Sequence, residues 1–156
     1  MGRHFIRCRI GIAAGYSLHP IARTYRSFED YGTVAKRIMV VDDNPAIRKI
    51  FRNILEFDRD WVVCGEGVDG RDGVEKAKAL CPDLIVLDVS MPVMNGLEAA
   101  RILHQIMPDV PVILCSLHTD RVLELEAMGA GVTAVFSKAE NMQTLISKAR
   151  ELLNTA

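Results

Sequence analysis

Short apolar runs alternate with amphipathic segments along most of the chain. Five of these runs are β-branched and too brief for helices, and each precedes a segment whose apolar residues recur every three or four positions. The predicted strands lie near residues 37–42, 61–66, 83–88, 111–115 and 132–136, and the predicted helices near 45–57, 70–80, 95–107, 118–128 and 140–153. Strands that are apolar throughout are typical of a parallel sheet covered on both faces. The pattern therefore predicts one doubly wound α/β domain of five βα units.

Local signals predict where several of these elements begin and end. Asn44-Pro45 is a good helix start, because a capping side chain is followed by proline in the first turn. Asn95-Gly96 precedes a helical pattern, which favours a loop entering a helix over a hairpin turn. Gly129 follows the fourth predicted helix, where a left-handed cap is expected. Apolar stripes are predicted on the first helix, from Ile47, Ile50, Phe51, Ile54 and Leu55, and on the last helix, from Met142, Leu145, Ile146, Ala149, Leu152 and Leu153.

Acidic side chains end two of the predicted strands. The run Ile38–Val41 is followed by Asp42 and Asp43, and the run Leu84–Leu87 is followed by Asp88. In open α/β folds the carboxyl ends of the strands meet at the edge where ligands bind. Three close carboxylates repel one another, so they persist only with raised pKa values or with a cation among them. An all-oxygen site of this kind suits Mg²⁺, with Mn²⁺ as an alternative, rather than Zn²⁺.

Two further polar residues fall at strand ends on the same edge. Ser116 ends the fourth predicted strand and Lys138 follows the fifth. A lone serine at a strand end is usually a turn former, and a lone lysine is usually a solvated charge. Together with three aspartates in register, however, a hydroxyl and an ammonium group indicate a site for a phosphoryl group, with a carboxylate as the nucleophile.

Composition and charge limit the classes of partner. The chain has 156 residues, of which 49% are hydrophobic and 25% charged, as expected for one globular domain. The net charge of −1 gives no overall reason to expect nucleic-acid binding. Residues 1–37 carry seven basic and two acidic residues, a net +5 that leaves −6 for the rest. Residues 1–35 also do not fit the alternating pattern of strands and helices, so we predict a basic, disordered N-terminal extension over residues 1–35 and a domain over residues 36–156.

Cysteine spacing and hydropathy bear on location. The four cysteines show no metal-ligand spacing, and three of them lie in or beside predicted core elements. No apolar run approaches the ~18–20 residues that are needed to span a bilayer. A reducing cytoplasm is the expected compartment.

The residues at the strand ends also carry a resemblance to a known family. The chain resembles, over roughly residues 36–154, the CheY-like receiver domain of bacterial two-component response regulators. The similar segments are Val40-Val41-Asp42-Asp43-Asn44, Leu87-Asp88-Val89-Ser90-Met91-Pro92, Asn95-Gly96, Ser116 and Lys138. The resemblance implies a flavodoxin-like fold with strand order 2-1-3-4-5. It also implies a phosphoprotein that receives its phosphoryl group from a histidine kinase or a histidine phosphotransfer protein.

The family pattern also implies a role for each matching residue. Asp88 is implied to be the phosphoacceptor, and Mg²⁺ is implied to be held by Asp42, Asp43, Asp88 and the backbone carbonyl of Ser90. Ser116 and Lys138 are implied to contact phosphoryl oxygens. In addition, Ser90 and His118 resemble positions that tune the hydrolysis of the aspartyl phosphate.

Two positions depart from the family pattern. An aromatic residue normally stands three positions before the lysine, but Val135 stands there in this chain. Phe136 is adjacent, although strand alternation sends it to the opposite face. We expect the chemistry at Asp88 to survive, and the relay to the fourth and fifth helices to be weaker or differently built. Ala139 replaces a proline that is common in receivers, so an ordinary trans peptide bond is expected.

The sequence favours a stand-alone receiver, because the chain ends just after the fifth predicted helix. Such a protein is a switch or phosphate carrier that catalyses only its own phosphorylation and dephosphorylation. Its expected partners are the phosphodonor protein and an unknown downstream protein target. We expect no binding to DNA or membranes, and a monomer or weak homodimer.

Three alternatives remain open at this point. The segment Met91–Arg101 resembles the receivers of LuxR-type transcription factors, so the chain could be part of a truncated regulator of that type. A Mg²⁺-dependent phosphatase also uses strand-end aspartates, but that class places a second aspartate two residues after its nucleophile, where Ser90 stands here. A phosphorylation-independent interaction module is the third alternative, and Val135 is the residue that suggests it.

Overall fold

A computed structural model of the protein describes residues 34–155. Within that range five strands and five helices alternate along the chain, as the apolar pattern predicts. The elements are β1 (Lys36–Val41), α1 (Pro45–Leu55), β2 (Trp61–Gly67), α2 (Gly70–Leu80), β3 (Leu84–Asp88), α3 (Gly96–Ile106), β4 (Val112–Ser116), α4 (Arg121–Gly129), β5 (Ala134–Ser137) and α5 (Met142–Thr155). The predicted extension over residues 1–35 lies, except for its last two residues, outside the described part of the chain.

The five strands form one parallel sheet in the order β2-β1-β3-β4-β5. This order confirms the flavodoxin-like fold. Val41 pairs with Leu87 and Asp88 pairs with Cys115, so the carboxyl ends of β1, β3 and β4 lie level with one another. The residues that follow these strands are therefore brought together at one edge of the sheet.

Helices cover both faces of the sheet and enclose two apolar clusters. One cluster lies under α1 and α5, and the other lies under α2, α3 and α4. Phe136 is buried in the first cluster and Val135 packs against the second, so the two side chains point to opposite faces of the sheet as predicted. The whole predicted apolar face of α5 packs in the first cluster.

Several predicted element ends agree with the structure. Asn44 caps α1, with Pro45 in the first turn. Asn95 caps α3 and forms a capping box with Glu98, so Asn95-Gly96 does lead into a helix. No cis peptide bond occurs among residues 34–155, as expected at Ala139.

Other predicted details are wrong. Helix α4 begins at Arg121 rather than near 118, because the Asp120 side chain caps it by accepting a hydrogen bond from the Leu123 N–H at 2.8 Å. Gly129 is the last residue of α4, and the left-handed residue is Gly131, with φ +80°. Ile50, which is predicted in the apolar stripe of α1, is 43% exposed. In the described residues, no helix has the length and apolar character that crossing a bilayer requires.

Candidate functional site

The carboxyl edge of the sheet opens into a pocket of about 400 Å³. Its lining contains all the site residues predicted from the sequence. The lining residues are Asp42, Asp43, Asn44, Ile47, Asp88, Ser90, Ser116, Leu117, His118 and Lys138. The strand register explains this convergence, since β1, β3 and β4 end level and β5 delivers Lys138 beside them.

Three carboxylates meet in this pocket. One oxygen each from Asp42, Asp43 and Asp88 lies within 4.8 Å of the others. Asp42 is 1% exposed and Asp88 is 6% exposed, whereas Asp43 is open to solvent. The Asn44 N–H donates to Asp42 Oδ1 at 2.9 Å, and the Ser90 N–H donates to Asp88 Oδ2 at 3.0 Å. Within residues 34–155 the carboxylate of Asp43 has no hydrogen bond or ion pair, so its oxygens are available to a ligand.

Lys138 lies between the two buried carboxylates. Its Nζ is 2.6 Å from Asp42 Oδ2 and 2.6 Å from Asp88 Oδ1. Its backbone N–H donates to the Ser116 carbonyl at 2.7 Å, which connects the start of the loop after β5 to the end of β4. The ammonium group therefore offsets part of the repulsion between the two aspartates.

Burial and charge shift the pKa values of this pair. Burial raises the pKa of Asp88 above its ordinary value and the charge of Asp42 adds to the rise, while the hydrogen bond and charge of Lys138 oppose it. Burial acts to lower the pKa of Lys138, but its hydrogen bonds to Asp42 and Asp88 outweigh burial and leave that pKa raised. Lys138 therefore stays protonated throughout the neutral range.

Ser116 lies in the pocket, but its hydroxyl is engaged within its own loop. The Ser116 Oγ donates to the His118 carbonyl at 2.6 Å and accepts a hydrogen bond from the His118 N–H at 3.2 Å. To contact a ligand above Asp88, the hydroxyl has to exchange the bond to the carbonyl for one to the ligand.

The loop after Asp88 is fixed at several points. The Gly96 N–H donates to the Val89 carbonyl at 2.9 Å, and a Cβ at Gly96 would collide with the Asp88 carbonyl oxygen. Val93 has φ +68°, and the Met94 N–H donates to the Pro92 carbonyl at 2.7 Å across it, which makes a γ-turn. A β-branched residue in this region is strained. Sequence reasoning gave no sign of that strain.

The donor set fits a divalent cation. The converging ligands are carboxylate oxygens, which suit Mg²⁺ or Mn²⁺ and do not favour Zn²⁺. The ammonium of Lys138 neutralises only part of the charge of the three aspartates. The unbonded carboxylate of Asp43 supplies a ligand that needs no rearrangement.

Sequence reasoning missed Arg48. Its guanidinium Nη1 donates to the carbonyls of Asp42 at 2.7 Å and Asp43 at 3.2 Å, and its side chain is only 13% exposed. One signal was present in the sequence. Arg48 stands one helical turn after the cap Asn44, and long side chains on a helix lean towards its N-terminus.

Comparison with known proteins identifies similar sequences. The family model of the response regulator receiver domain matches residues 38–150. The chain is 36% identical to the chemotaxis protein CheY of Thermotoga maritima over 98 residues, which cover 63% of this chain and 81% of that protein. It is 39% identical over 108 residues to a protein-glutamate methylesterase/protein-glutamine glutaminase of Nocardioides sp., covering 68% of this chain but only 30% of the methylesterase. The chain thus matches less than a third of that relative.

Solved structures show the same fold. The response regulator domain of Thermotoga maritima CheB superposes with a TM-score of 0.72 at 30% sequence identity. The superposition covers 77% of this chain and 97% of that domain. A LuxR-family response regulator from Aurantimonas sp. superposes with a TM-score of 0.75 at 26% identity, covering 78% of this chain and 86% of that chain.

Proposed function

The chain belongs to the family of response regulator receiver domains of two-component systems, and from that premise we propose that Asp88 accepts a phosphoryl group from a protein phosphohistidine. The donor is a histidine kinase or a histidine phosphotransfer protein. The observation that carries the proposal is the placement of Lys138 Nζ 2.6 Å from both Asp42 and Asp88, with Asp43 completing the acidic cluster at the mouth of an open pocket.

The proposed reaction is a direct transfer between nitrogen and oxygen. A P–O bond forms at a carboxylate oxygen of Asp88 while the P–N bond of the phosphohistidine breaks. The electron pair of the broken bond stays on the ring nitrogen, and the donor leaves as neutral imidazole once its other nitrogen is protonated. Reactions of this kind depend on positioning and on charge stabilisation rather than on further covalent steps.

The surrounding residues supply that stabilisation. Lys138 exchanges one of its carboxylate contacts for a phosphoryl oxygen, and Ser116 exchanges its bond to the His118 carbonyl for another phosphoryl oxygen. Asp42, Asp43, Asp88 and the backbone carbonyl of Ser90 would hold Mg²⁺, with Mn²⁺ as an alternative. When bound, the ion offsets the negative charge on the phosphoryl oxygens. Ser90 and His118 line the same pocket and, as their family positions imply, tune the rate at which the aspartyl phosphate hydrolyses.

The wider role that we propose is a phosphorylation-dependent switch or a phosphate carrier. The receiver domain spans residues 36–156 and catalyses only its own phosphorylation and dephosphorylation. Its output passes to a protein target, through a rearrangement of the loops around Asp88 that does not use an aromatic residue at Val135. A cytoplasmic location suits the free thiols of Cys64 and Cys115.

Acetyl phosphate labelling tests the proposal. The purified chain is incubated with acetyl phosphate and Mg²⁺, and its intact mass is measured. We expect a gain of one phosphoryl group that is lost in Asp88→Ala and when EDTA removes the metal. The matched control is Asp109→Ala, since Asp109 is exposed and precedes β4, whose opposite end carries the pocket-lining Ser116; this variant should label like the wild type.

Other outcomes would contradict the proposal. Labelling that persists in Asp88→Ala would place the acceptor elsewhere. Steady hydrolysis of phosphate esters without a trapped phosphoprotein would favour the phosphatase alternative. A folded wild type that no small-molecule or phosphohistidine donor labels would favour an interaction module that works without phosphorylation.

A further inference from the structure

We infer that Arg48, oriented by Glu66, is a positioning residue that fixes the loop carrying Asp42 and Asp43 and so sets the affinity of the acidic cluster for a divalent cation. The inference rests on the proposed function, since it concerns the same cluster. Arg48 itself lies outside the pocket lining, so it acts through the loop rather than by touching the phosphoryl group.

The contacts of Arg48 hold the loop by its backbone. Nη1 donates to the Asp42 carbonyl at 2.7 Å and to the Asp43 carbonyl at 3.2 Å. The Asp42 N–H in addition donates to the Gly67 carbonyl at 3.1 Å. Both backbone polar groups of Asp42 are thus hydrogen-bonded, which restrains the backbone that carries its carboxylate.

The Arg48 guanidinium is oriented by Glu66, which has further contacts of its own. Arg48 Nε donates to Glu66 Oε2 at 3.1 Å, and Arg52 Nε donates to Glu66 Oε1 at 2.8 Å. The hydrogen bond from Arg52 is the main reason that the pKa of Glu66 is lowered, so Glu66 stays ionised at neutral pH. Lys76 Nζ also donates to the Glu66 carbonyl at 2.8 Å and pairs with Asp72 at 2.7 Å. Arg52 of α1 and Lys76 of α2 therefore hold Glu66 of β2, which in turn orients the Arg48 guanidinium.

The sign of the expected effect distinguishes positioning from simple charge. Arg48 brings a positive charge close to a cation site, so a purely electrostatic contribution would repel the cation. In that case the removal of Arg48 would tighten the binding of Mg²⁺. If Arg48 instead places the ligands, its removal weakens the binding of Mg²⁺. Part of the binding free energy is then needed to bring the carboxylates of Asp42 and Asp43 together. Partners that orient metal ligands are commonly worth about 10-fold to 100-fold in affinity.

The test measures Mg²⁺ binding to the full chain by isothermal titration calorimetry. We expect Arg48→Ala to raise the dissociation constant about tenfold. Arg48→Lys should recover only part of the loss, because an ammonium cannot bridge the carbonyls and Glu66 at once. The matched control is Lys49→Ala, which removes one exposed positive charge from the same helix and should not weaken binding. Thermal unfolding in EDTA checks that each variant is folded.

A kinetic readout separates positioning from a loss of structure. The rate of labelling by acetyl phosphate is followed as Mg²⁺ is increased. For Arg48→Ala the Mg²⁺ concentration at half-maximal rate should rise, while the rate at saturation stays close to that of the wild type. A general loss of structure would lower the saturated rate instead.

The outcomes also separate this inference from the proposed function. If the wild type binds Mg²⁺ and accepts the label while Arg48→Ala binds Mg²⁺ equally or more tightly, the inference is overturned and the proposed function stands. If the wild type neither binds Mg²⁺ nor accepts the label, the proposed function fails and the inference fails with it. If Arg48→Ala does not fold, the same measurements are made on Glu66→Gln. The loss of Mg²⁺ affinity should then be smaller, because Arg48 is still present.

Discussion

Lys138 offsets the repulsion between two buried carboxylates, so its removal should expose that repulsion. In Lys138→Met, Asp88 loses both influences of Lys138 that lower its pKa, and the pKa should rise further above the ordinary value of 3.8. A carboxyl group whose pKa is higher in the folded state than in the unfolded state destabilises the fold once the pH exceeds the pKa of the unfolded state. We therefore expect a loss of about 3 kcal/mol near pH 7 that shrinks towards about pH 4.5.

Urea unfolding in EDTA at the two pH values measures this effect. Lys49→Met is the control, because Lys49 is exposed and makes no ion pair within the described residues. An equal loss of stability at both pH values would mean that lost packing of the lysine side chain, and not the charge of the aspartates, explains the change.

Side chains at strand ends were predictable, and side chains that act through tertiary contacts were not. Buried strands of a parallel sheet end at a common edge, so the sequence pattern predicts that Asp42, Asp88 and Lys138 lie on one edge of the sheet. Arg48 reads as an ordinary helix charge, because Glu66 lies 18 residues away on a strand whose register the sequence does not specify. The positive φ of Val93 could not be predicted from the sequence either, since β-branched residues normally avoid positive φ.

At the scale of the element, the start of α3 sets where the loop after Asp88 ends. Asn95 Oδ1 accepts a hydrogen bond from the Glu98 N–H at 2.9 Å, and the Asn95 N–H donates to Glu98 Oε2 at 3.0 Å. Asn95→Ala removes the first of these bonds and should lower the free energy of unfolding by about 1 kcal/mol. Asn53→Ala is the control, because Asn53 is exposed inside α1, where alanine favours the helix.

Urea unfolding of both variants measures the difference. If Asn95→Ala is as stable as the wild type, the capping box does not stabilise the fold. The hydrogen bond from the Gly96 N–H to the Val89 carbonyl would then be enough to hold the end of the loop. A similar loss in Asn53→Ala would point to a general effect of asparagine removal rather than to capping.

The boundaries of elements were predicted well only where a cap has a clear signature. Asn44-Pro45 and Asn95-Gly96 each combine a capping side chain with a residue suited to the turn, and both helices begin there. Asp120 also caps a helix, but neither proline nor glycine follows it, and the helix was predicted to begin near residue 118, beside Leu117, which is 68% exposed in the structure. Periodicity does not distinguish an exposed apolar residue in a loop from one on the buried face of a helix.

At the scale of the whole molecule, the site depends on contacts that are distant along the chain. Lys138 pairs with Asp42 across 96 positions, and β1 lies inside the sheet between β2 and β3. The order of the strands came from the family resemblance, because periodicity predicts strands but not their neighbours. Two continuous apolar clusters, one on each face of the sheet, link all five helices to it. The domain should therefore unfold as one cooperative unit.

The last prediction follows from where the site residues lie. All the residues that line the pocket fall between Asp42 and Lys138, so the fragment 34–156 contains the complete site. This fragment should unfold in a single transition and accept the phosphoryl group from acetyl phosphate at the rate of the full chain. Mg²⁺ at about 100 times its dissociation constant should stabilise the fragment and the full chain equally, by about 2.7 kcal/mol, because only the folded state gathers the three carboxylates. Urea unfolding with and without Mg²⁺ and timed mass spectrometry make the comparison. A fragment that unfolds in two steps, or that labels more slowly than the full chain, would show that residues 1–33 contribute to the domain.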